Sequence, residues 1–335
     1  MTMDTADAAT SSAPATVPAA VGGIDLGGTK IEAIVTDAQH RVLGAARHPT
    51  PTDGGPADVA NAMAAAVTEA AKAAGLEPAQ LRGVGVGSPG VIDALAGTVS
   101  HADNLPGWQA SYPLGAQLEA ALGTRVVIGN DVGVATIAEF ELGAGRPYRS
   151  LLGVFWGTGV GGGLILDGKP WRGRGGAGEI GHTVIRVGGR RCPCGRRGCL
   201  EAYAGRAAME ARARRLAAHG HHTSLFELAA EHQHDRLTSG IWQRALEHGD
   251  KVATALIDGA VAALGTGIAS AVNLLDVEAV VIGGGLGVRF GEPYRARIVT
   301  AMLPHLFNDT RPPAVHVAAL GDLGGALGAS LLVTQ

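Results

Sequence analysis

All three cysteines of the chain lie between Cys192 and Cys199, in the run Cys192-Pro-Cys194-Gly195-Arg196-Arg197-Gly198-Cys199 that follows His182. Three thiolates and one imidazole make a closed tetrahedral shell, and the glycines at 195 and 198 permit the tight turns that bring three sulfurs to one ion. A closed shell leaves no position for a reacting water, so the pattern points to a structural zinc held by His182, Cys192, Cys194 and Cys199. An odd number of cysteines in so tight a cluster fits a disulfide framework poorly and a reducing, cytoplasmic compartment well. Glu179 stands just before His182, and Glu201 just after Cys199. A loop fixed by metal presents both carboxylates as bidentate acceptors for the hydroxyls of a sugar.

A second group of residues suits phosphate. In Asp25-Leu26-Gly27-Gly28-Thr29-Lys30 the missing side chains let backbone N–H groups approach phosphate oxygens, Thr29 adds a hydroxyl, and Asp25 can face a magnesium ion through water. Alone, this is an ordinary hairpin turn. Gly157-Thr158-Gly159, followed by Gly161 to Gly163, supplies a counterpart able to clamp a polyphosphate from the other side. Gly283-Gly284-Gly285, after an apolar run, leaves room for a purine or ribose. No Walker loop is present, and the spacing at Gly161 lacks the helix-opening pattern of a dinucleotide fingerprint.

Asn130-Asp131 ends an apolar run and opens a helical one. Phosphoryl transfer needs an aimed hydroxyl and an acceptor for its proton, which a carboxylate at a strand end supplies. Asn and Asp are also among the best helix N-caps, so the residue types alone leave Asp131 open between base and cap.

These residues must be positioned by alternating strands and helices. Val21 to Asp37 reads as two strands joined at the glycine turn, with Arg41 to Arg47 as a third. Pro56 to Gly75 reads as a helix, Gly83 to Gly87 as a buried strand running into Ser88-Pro89-Gly90, Arg125 to Ile128 as another strand, and Asp131 to about Leu142 as a helix. Leu151 to Asp167 then repeats the opening pattern of strand, Gly/Thr turn and strand, which predicts two similar α/β halves whose glycine turns face a cleft. A helical stretch from about Ala202 to Asn273, a strand Ala279 to Ile282 and a closing helix from about Leu323 complete the second half.

Composition agrees with a large core: 335 residues, 46% hydrophobic and 17% charged, exceed a usual single domain. The formal charge of -3 gives no general attraction to nucleic acid, and the arginines between Arg186 and Arg197 read as a solvated loop around the metal site. No uninterrupted apolar run suggests a membrane span. Residues 1 to 20, rich in Ala, Ser, Thr and Pro, are expected to form a disordered tail and not a signal peptide.

Together, Asp25-Leu-Gly-Gly-Thr-Lys30, Asn104-Leu-Pro-Gly-Trp108, Asn130-Asp131, Gly157-Thr-Gly-Val-Gly161, Glu179-Ile-Gly-His182 and Cys192-x-Cys-Gly-x-x-Gly-Cys199-x-Glu201 resemble the ROK family (repressors, open reading frames and kinases), and within it bacterial glucokinases, from about Val21 onward. The resemblance implies a two-domain actin-like ATPase fold, related to ribonuclease H, with an interdomain cleft and a zinc-binding loop. It also implies ATP with Mg2+ as donor, a hexose such as glucose in the cleft, and a homodimer. The expected division is residues 21–134 and 135–321, with a closing helix at about 322–335 packing back on the first unit. By motif position Asp131 looks like the base for the sugar 6-hydroxyl, and Asn104, Asn130, Glu179, His182 and Glu201 look like sugar contacts. His182 would bind zinc through one ring nitrogen and sugar through the other. Ser88, Pro89 and Gly90 resemble a backbone turn closing over the sugar. The chain departs from many relatives in Asn130-Asp-Val-Gly133, where Asn-Asp-Ala-Asn is common, and in Trp156, where a smaller residue is common. Three other readings share the motifs: a kinase for N-acetylglucosamine, N-acetylmannosamine, fructose or allose, a polyphosphate-using glucokinase, and a sugar-sensing repressor. About 20 residues before Val21 are too few for the winged-helix domain of the last.

Overall fold

The computed structural model describes residues 20–102 and 105–334. Strands β1 (Val21–Leu26), β2 (Lys30–Thr36) and β3 (Val42–Pro49) form an antiparallel meander, and α1 (Pro56–Ala73) follows. Then come β4 (Val84–Ser88), the small hairpin β5 (Val91–Asp93) and β6 (Thr98–Ser100), α2 (Leu114–Leu122), β7 (Val126–Asn130) and α3 (Asp131–Glu141). A second hairpin, β8 (Leu151–Trp156) and β9 (Val160–Leu166), is extended by the short β10 (Lys169–Pro170). The stretch expected to be helical resolves into α4 (Glu201–Ala204), α5 (Arg206–Ala218), α6 (Leu225–Glu231), α7 (Ser239–Glu247) and α8 (Lys251–Leu275). Strand β11 (Ala279–Gly283), helix α9 (Gly284–Met302), strand β12 (Ala314–Val317) and helix α10 (Gly324–Leu331) close the described chain. The closing helix is therefore shorter than its expected span of about 322–335.

The two sheets have one design. The first runs β3-β2-β1-β4-β7 and the second β10-β9-β8-β11-β12. In each, an antiparallel hairpin is followed by two parallel strands: β1 with β4 and β4 with β7, then β8 with β11 and β11 with β12. The parallel strands are buried apolar runs such as Ala-Val-Val-Ile-Gly in β11, as expected where both faces are covered. Helix α8 is long and apolar enough to cross a bilayer, yet 67% of its most apolar window is buried within the protein, where it anchors the larger core.

Helices α3 and α10 lie between the sheets, and glycines set how closely they approach. A Cβ on Gly85 of β4 would stand 1.7 Å from the Ala329 carbonyl oxygen of α10, and one on Gly23 of β1 would stand 2.1 Å from that of Ala326. On the second sheet, Gly153 and Gly163 leave room for the Thr136 side chain of α3. The two helices also touch directly, since a Cβ on Gly328 would meet the Val134 carbonyl oxygen at 1.9 Å. Backbone contact of this kind excludes every larger residue.

Candidate active site and metal centre

Parallel strands β1, β4 and β7 place Asp25 beside Gly87 and Ser88 beside Asn130, so these residues share the carboxyl ends of neighbouring strands, where open α/β sheets bind ligands. Asn130 is the N-cap of α3: its Oδ1 accepts hydrogen bonds from the backbone N–H of Val132 (3.1 Å) and Gly133 (3.0 Å). Asp131 is the first helical residue, and its Oδ1 accepts from Val132 N–H at 2.8 Å. Desolvation raises the Asp131 carboxyl above its ordinary value, the Val132 N–H opposes this, and the charge of Glu179 adds to it. A carboxylate so destabilised accepts a proton more readily than an exposed one.

Asp25 is also raised, to about 6, first by desolvation and then by the charge of Asp131. The backbone of α10 lies directly on it, since a Cβ at Gly325 would come within 2.5 Å of the Asp25 carboxyl. The Gly27-Gly28-Thr29-Lys30 turn closes with Gly27 N–H donating to the Lys30 carbonyl at 2.9 Å. Thr50 pins it from just beyond β3: its hydroxyl donates to the Gly27 carbonyl (2.6 Å) and its N–H to the Thr29 carbonyl (3.1 Å). The Lys30 ammonium is engaged by Glu32 (3.4 Å) and Asp322 (3.7 Å). Ser88-Pro89-Gly90 turns the chain from β4 into β5, with Ser88 buried and Gly90 at φ 93°, a left-handed conformation suited to glycine. Asn104 lies outside the described residues.

The Gly157-Thr158-Gly159 turn joins β8 to β9, and Gly283-Gly284-Gly285 joins β11 to α9. The two segments adjoin, for a Cβ on Gly157 would lie 3.8 Å from the Gly285 nitrogen. Gly284 adopts φ 78°, and a Cβ there would strike the Trp156 carbonyl at 2.6 Å. Next to Gly285, a cavity of about 540 Å³ opens between α7 and α9, lined by Thr238, Ser239, Arg244 and Arg289 among others. Trp156 sits behind its turn, fully buried, with Nε1 donating to the Ala204 carbonyl (2.7 Å) and its ring edge-on to Phe290. Arg206, at the start of α5, donates Nη2 to the Thr158 hydroxyl (2.7 Å) and its backbone N–H to the Gly157 carbonyl (3.1 Å). Neither Thr50 nor Arg206 carries a sequence signal, because each bonds a turn remote in the chain.

One ligand atom each from His182, Cys192, Cys194 and Cys199 lies within 4.8 Å of the others. His182 Nδ1 is 3.8 Å from the Cys192 sulfur, and the Cys194 and Cys199 sulfurs are 3.7 Å apart. A tetrahedral zinc with bonds of about 2.3 Å sets its sulfur ligands about 3.8 Å apart, so the residues fit that ion. Burial pushes the Cys192 thiol up to about 12, whereas the Arg196 backbone N–H pulls the Cys194 thiol down to about 7. A dication supplies the charge that makes a thiolate affordable at the buried position. His182 turns its other nitrogen, Nε2, to Glu179 (3.9 Å). Glu201 receives the Val160 N–H on Oε2 (3.0 Å), and its Oε1 is 3.9 Å from the Cys192 sulfur.

The ROK family model matches residues 21–335. The chain is 31% identical to the glucokinase of Thermotoga maritima over 93% of its own length and 96% of that protein. It is 32% identical to the N-acetyl-D-glucosamine kinase of Salmonella paratyphi B, covering 92% of this chain and 98% of that one. Among solved structures, the ROK family glucokinase of Streptomyces griseus in complex with glucose and AMPPNP superimposes with a TM-score of 0.78 at 32% identity, over 93% of this chain and 98% of that chain. It shares the actin-like α/β fold of that glucokinase, and the chain belongs to the ROK family.

Proposed function

We propose that this sugar kinase transfers the γ-phosphoryl group of ATP to the 6-hydroxyl of glucose, with Asp131 as the general base. The carrying observation is the placement of Asp131: held at the first turn of α3 by the Asn130 cap, with a raised proton affinity and within the field of Glu179. The hydroxyl proton passes to the Asp131 carboxylate as the oxygen attacks phosphorus in line and the bond to the ADP oxygen breaks.

The backbone amides of Gly27–Thr29 and Gly157–Gly159 suit the phosphates from two sides, and Gly283–Gly285 with the adjoining cavity suits ribose and base. Asp25 would hold magnesium through water, and the ion bound with the nucleotide would supply neutralisation of phosphate charge. For the sugar, Asn130, Glu179, His182 and Glu201 offer donors and acceptors, with Ser88, Pro89 and Gly90 as the backbone turn and Asn104 as a further contact. His182 Nδ1 would ligate zinc while Nε2 turns to the sugar side with Glu179, so the metal organises the pocket without entering the chemistry. We assign the working units as residues 21–134 and 135–321. A cytoplasmic homodimer fits the three free cysteines and the family resemblance.

Several acceptors close together suit a ring with adjacent free hydroxyls, and a site built to bond a hydroxyl rejects an analogue lacking it far better than bulk alone does. A coupled assay over glucose, mannose, fructose and N-acetylated hexosamines, each with ATP or polyphosphate, tests the reading. Glucose with ATP should give the highest kcat/KM, by about tenfold or more over N-acetylglucosamine. An equal or higher value for an N-acetylated sugar, or for polyphosphate as donor, overturns it.

A further inference from the structure

The segment from Cys199 to Ala207 touches the metal cluster at one end and the Gly157-Thr158-Gly159 turn at the other. Cys199 contributes its sulfur to the cluster. Two residues on, Glu201 accepts the Val160 N–H on Oε2 at 3.0 Å, and its Oε1 lies 3.9 Å from the Cys192 sulfur. The Ala204 carbonyl accepts the Trp156 indole N–H at 2.7 Å. The Arg206 N–H donates to the Gly157 carbonyl (3.1 Å) and the Ala207 N–H to the Thr158 carbonyl (3.0 Å). The fit leaves no slack: a Cβ on Gly159 would sit 2.2 Å from Glu201 Oε2.

We propose that this segment is a strut through which zinc loading sets the geometry of the donor-side turn, with Glu201 as the positioning residue that joins the two. A bond between a charged carboxylate and a backbone N–H is among the stronger ones, and its loss takes the charged acceptor away from the Val160 amide. Glu201 therefore acts on the phosphate side of the cleft as well as on the sugar side. The inference rests on the kinase reading for its kinetic arm alone. Its structural arm is independent of any activity.

The experiment measures hydrogen exchange over Trp156–Gly161 in zinc-loaded wild type, in zinc-stripped wild type, and in the loaded variants Glu201→Ala and Glu201→Gln. The Ala variant should keep its zinc and exchange at Val160 about tenfold faster or more, while Gln, whose amide oxygen can still accept, should stay near wild type. Stripping the metal should deprotect the same turn. In the kinetic arm, Glu201→Ala should raise KM for ATP more than it weakens glucose binding measured by calorimetry. Unchanged exchange at the turn in both the Ala variant and the stripped protein, with glucose affinity lost, would make Glu201 a sugar contact only and remove the strut. If no sugar is phosphorylated at all, the kinase reading fails while the exchange data still decide the strut.

Discussion

Asp25 and Asp131 flank the end of β4 from its two sides, and their charges interact: desolvation and then the Asp131 charge lift the Asp25 carboxyl to about 6. Because this lies above the ordinary 3.8, the folded protein holds that proton more tightly than the unfolded chain does. The stabilisation is complete below 3.8 and is lost as pH rises through 6. Asp25→Asn should therefore stabilise the free protein at pH 8 by up to about 3 kcal/mol, with no gain at pH 4. Thermal melts at the two pH values check this. If Asp25 orients the metal-bound water as proposed, kcat/KM for the magnesium nucleotide should fall as pH drops through about 6, where the free protein takes up that proton.

Replacing Asp131 by Asn separates the two roles that its residue type allows. The Asn130 side chain already caps α3 and burial disfavours the Asp131 charge, so Asp131→Asn should leave the melting temperature at neutral pH unchanged or higher while turnover falls at least about a hundredfold. Asn130→Ala should lose about 1 kcal/mol of stability with the cap and, on the proposed sugar contact, weaken sugar binding as well. Near-normal turnover in Asp131→Asn would leave the residue as helix scaffolding.

Purified protein should carry one zinc per chain by elemental analysis, held by His182, Cys192, Cys194 and Cys199. Cys194→Ser should lose the metal together with sugar affinity. An active, zinc-free preparation would contradict the assignment.

Gly85 faces the backbone of α10 too closely for any side chain, as the 1.7 Å approach to the Ala329 carbonyl requires. Gly85→Ala should cost about 2 to 4 kcal/mol, because the obstacle is backbone and cannot swing aside. Denaturant titration reads this directly, and a variant as stable as wild type would mean that α10 shifts freely.

The metal loop was legible in the sequence because its ligands are local, and glycines 195 and 198, both at positive φ, mark the turns between them. The twin hairpins were legible because strand, glycine turn and strand recur at Val21 and Leu151. Asp131 was ambiguous from residue type alone; the structure gives the cap to the Asn130 side chain, and the turnover of Asp131→Asn tests the base. Thr50, Arg206 and the Glu201–Val160 bond were not legible. Each joins a turn to a residue whose neighbourhood is created by folding, and no periodicity encodes such a meeting. The glycines of β1 and β4 were equally silent, since what excludes a side chain there is a helix from the far end of the chain.

That helix bears on the order in which the molecule can be made. A ribosome releases β1 through β7 long before α10, yet Gly23 and Gly85 are shaped to receive the α10 backbone. Helix α3, made directly after β7, packs Val134 against Gly87 and Gly129, but Gly23 and Gly85 stay uncovered until α10 emerges, so the first sheet cannot complete its packing from the amino-terminal strands and helices alone. The nascent first half must wait, with Gly23 and Gly85 exposed, for a segment made only after every strand of the second sheet.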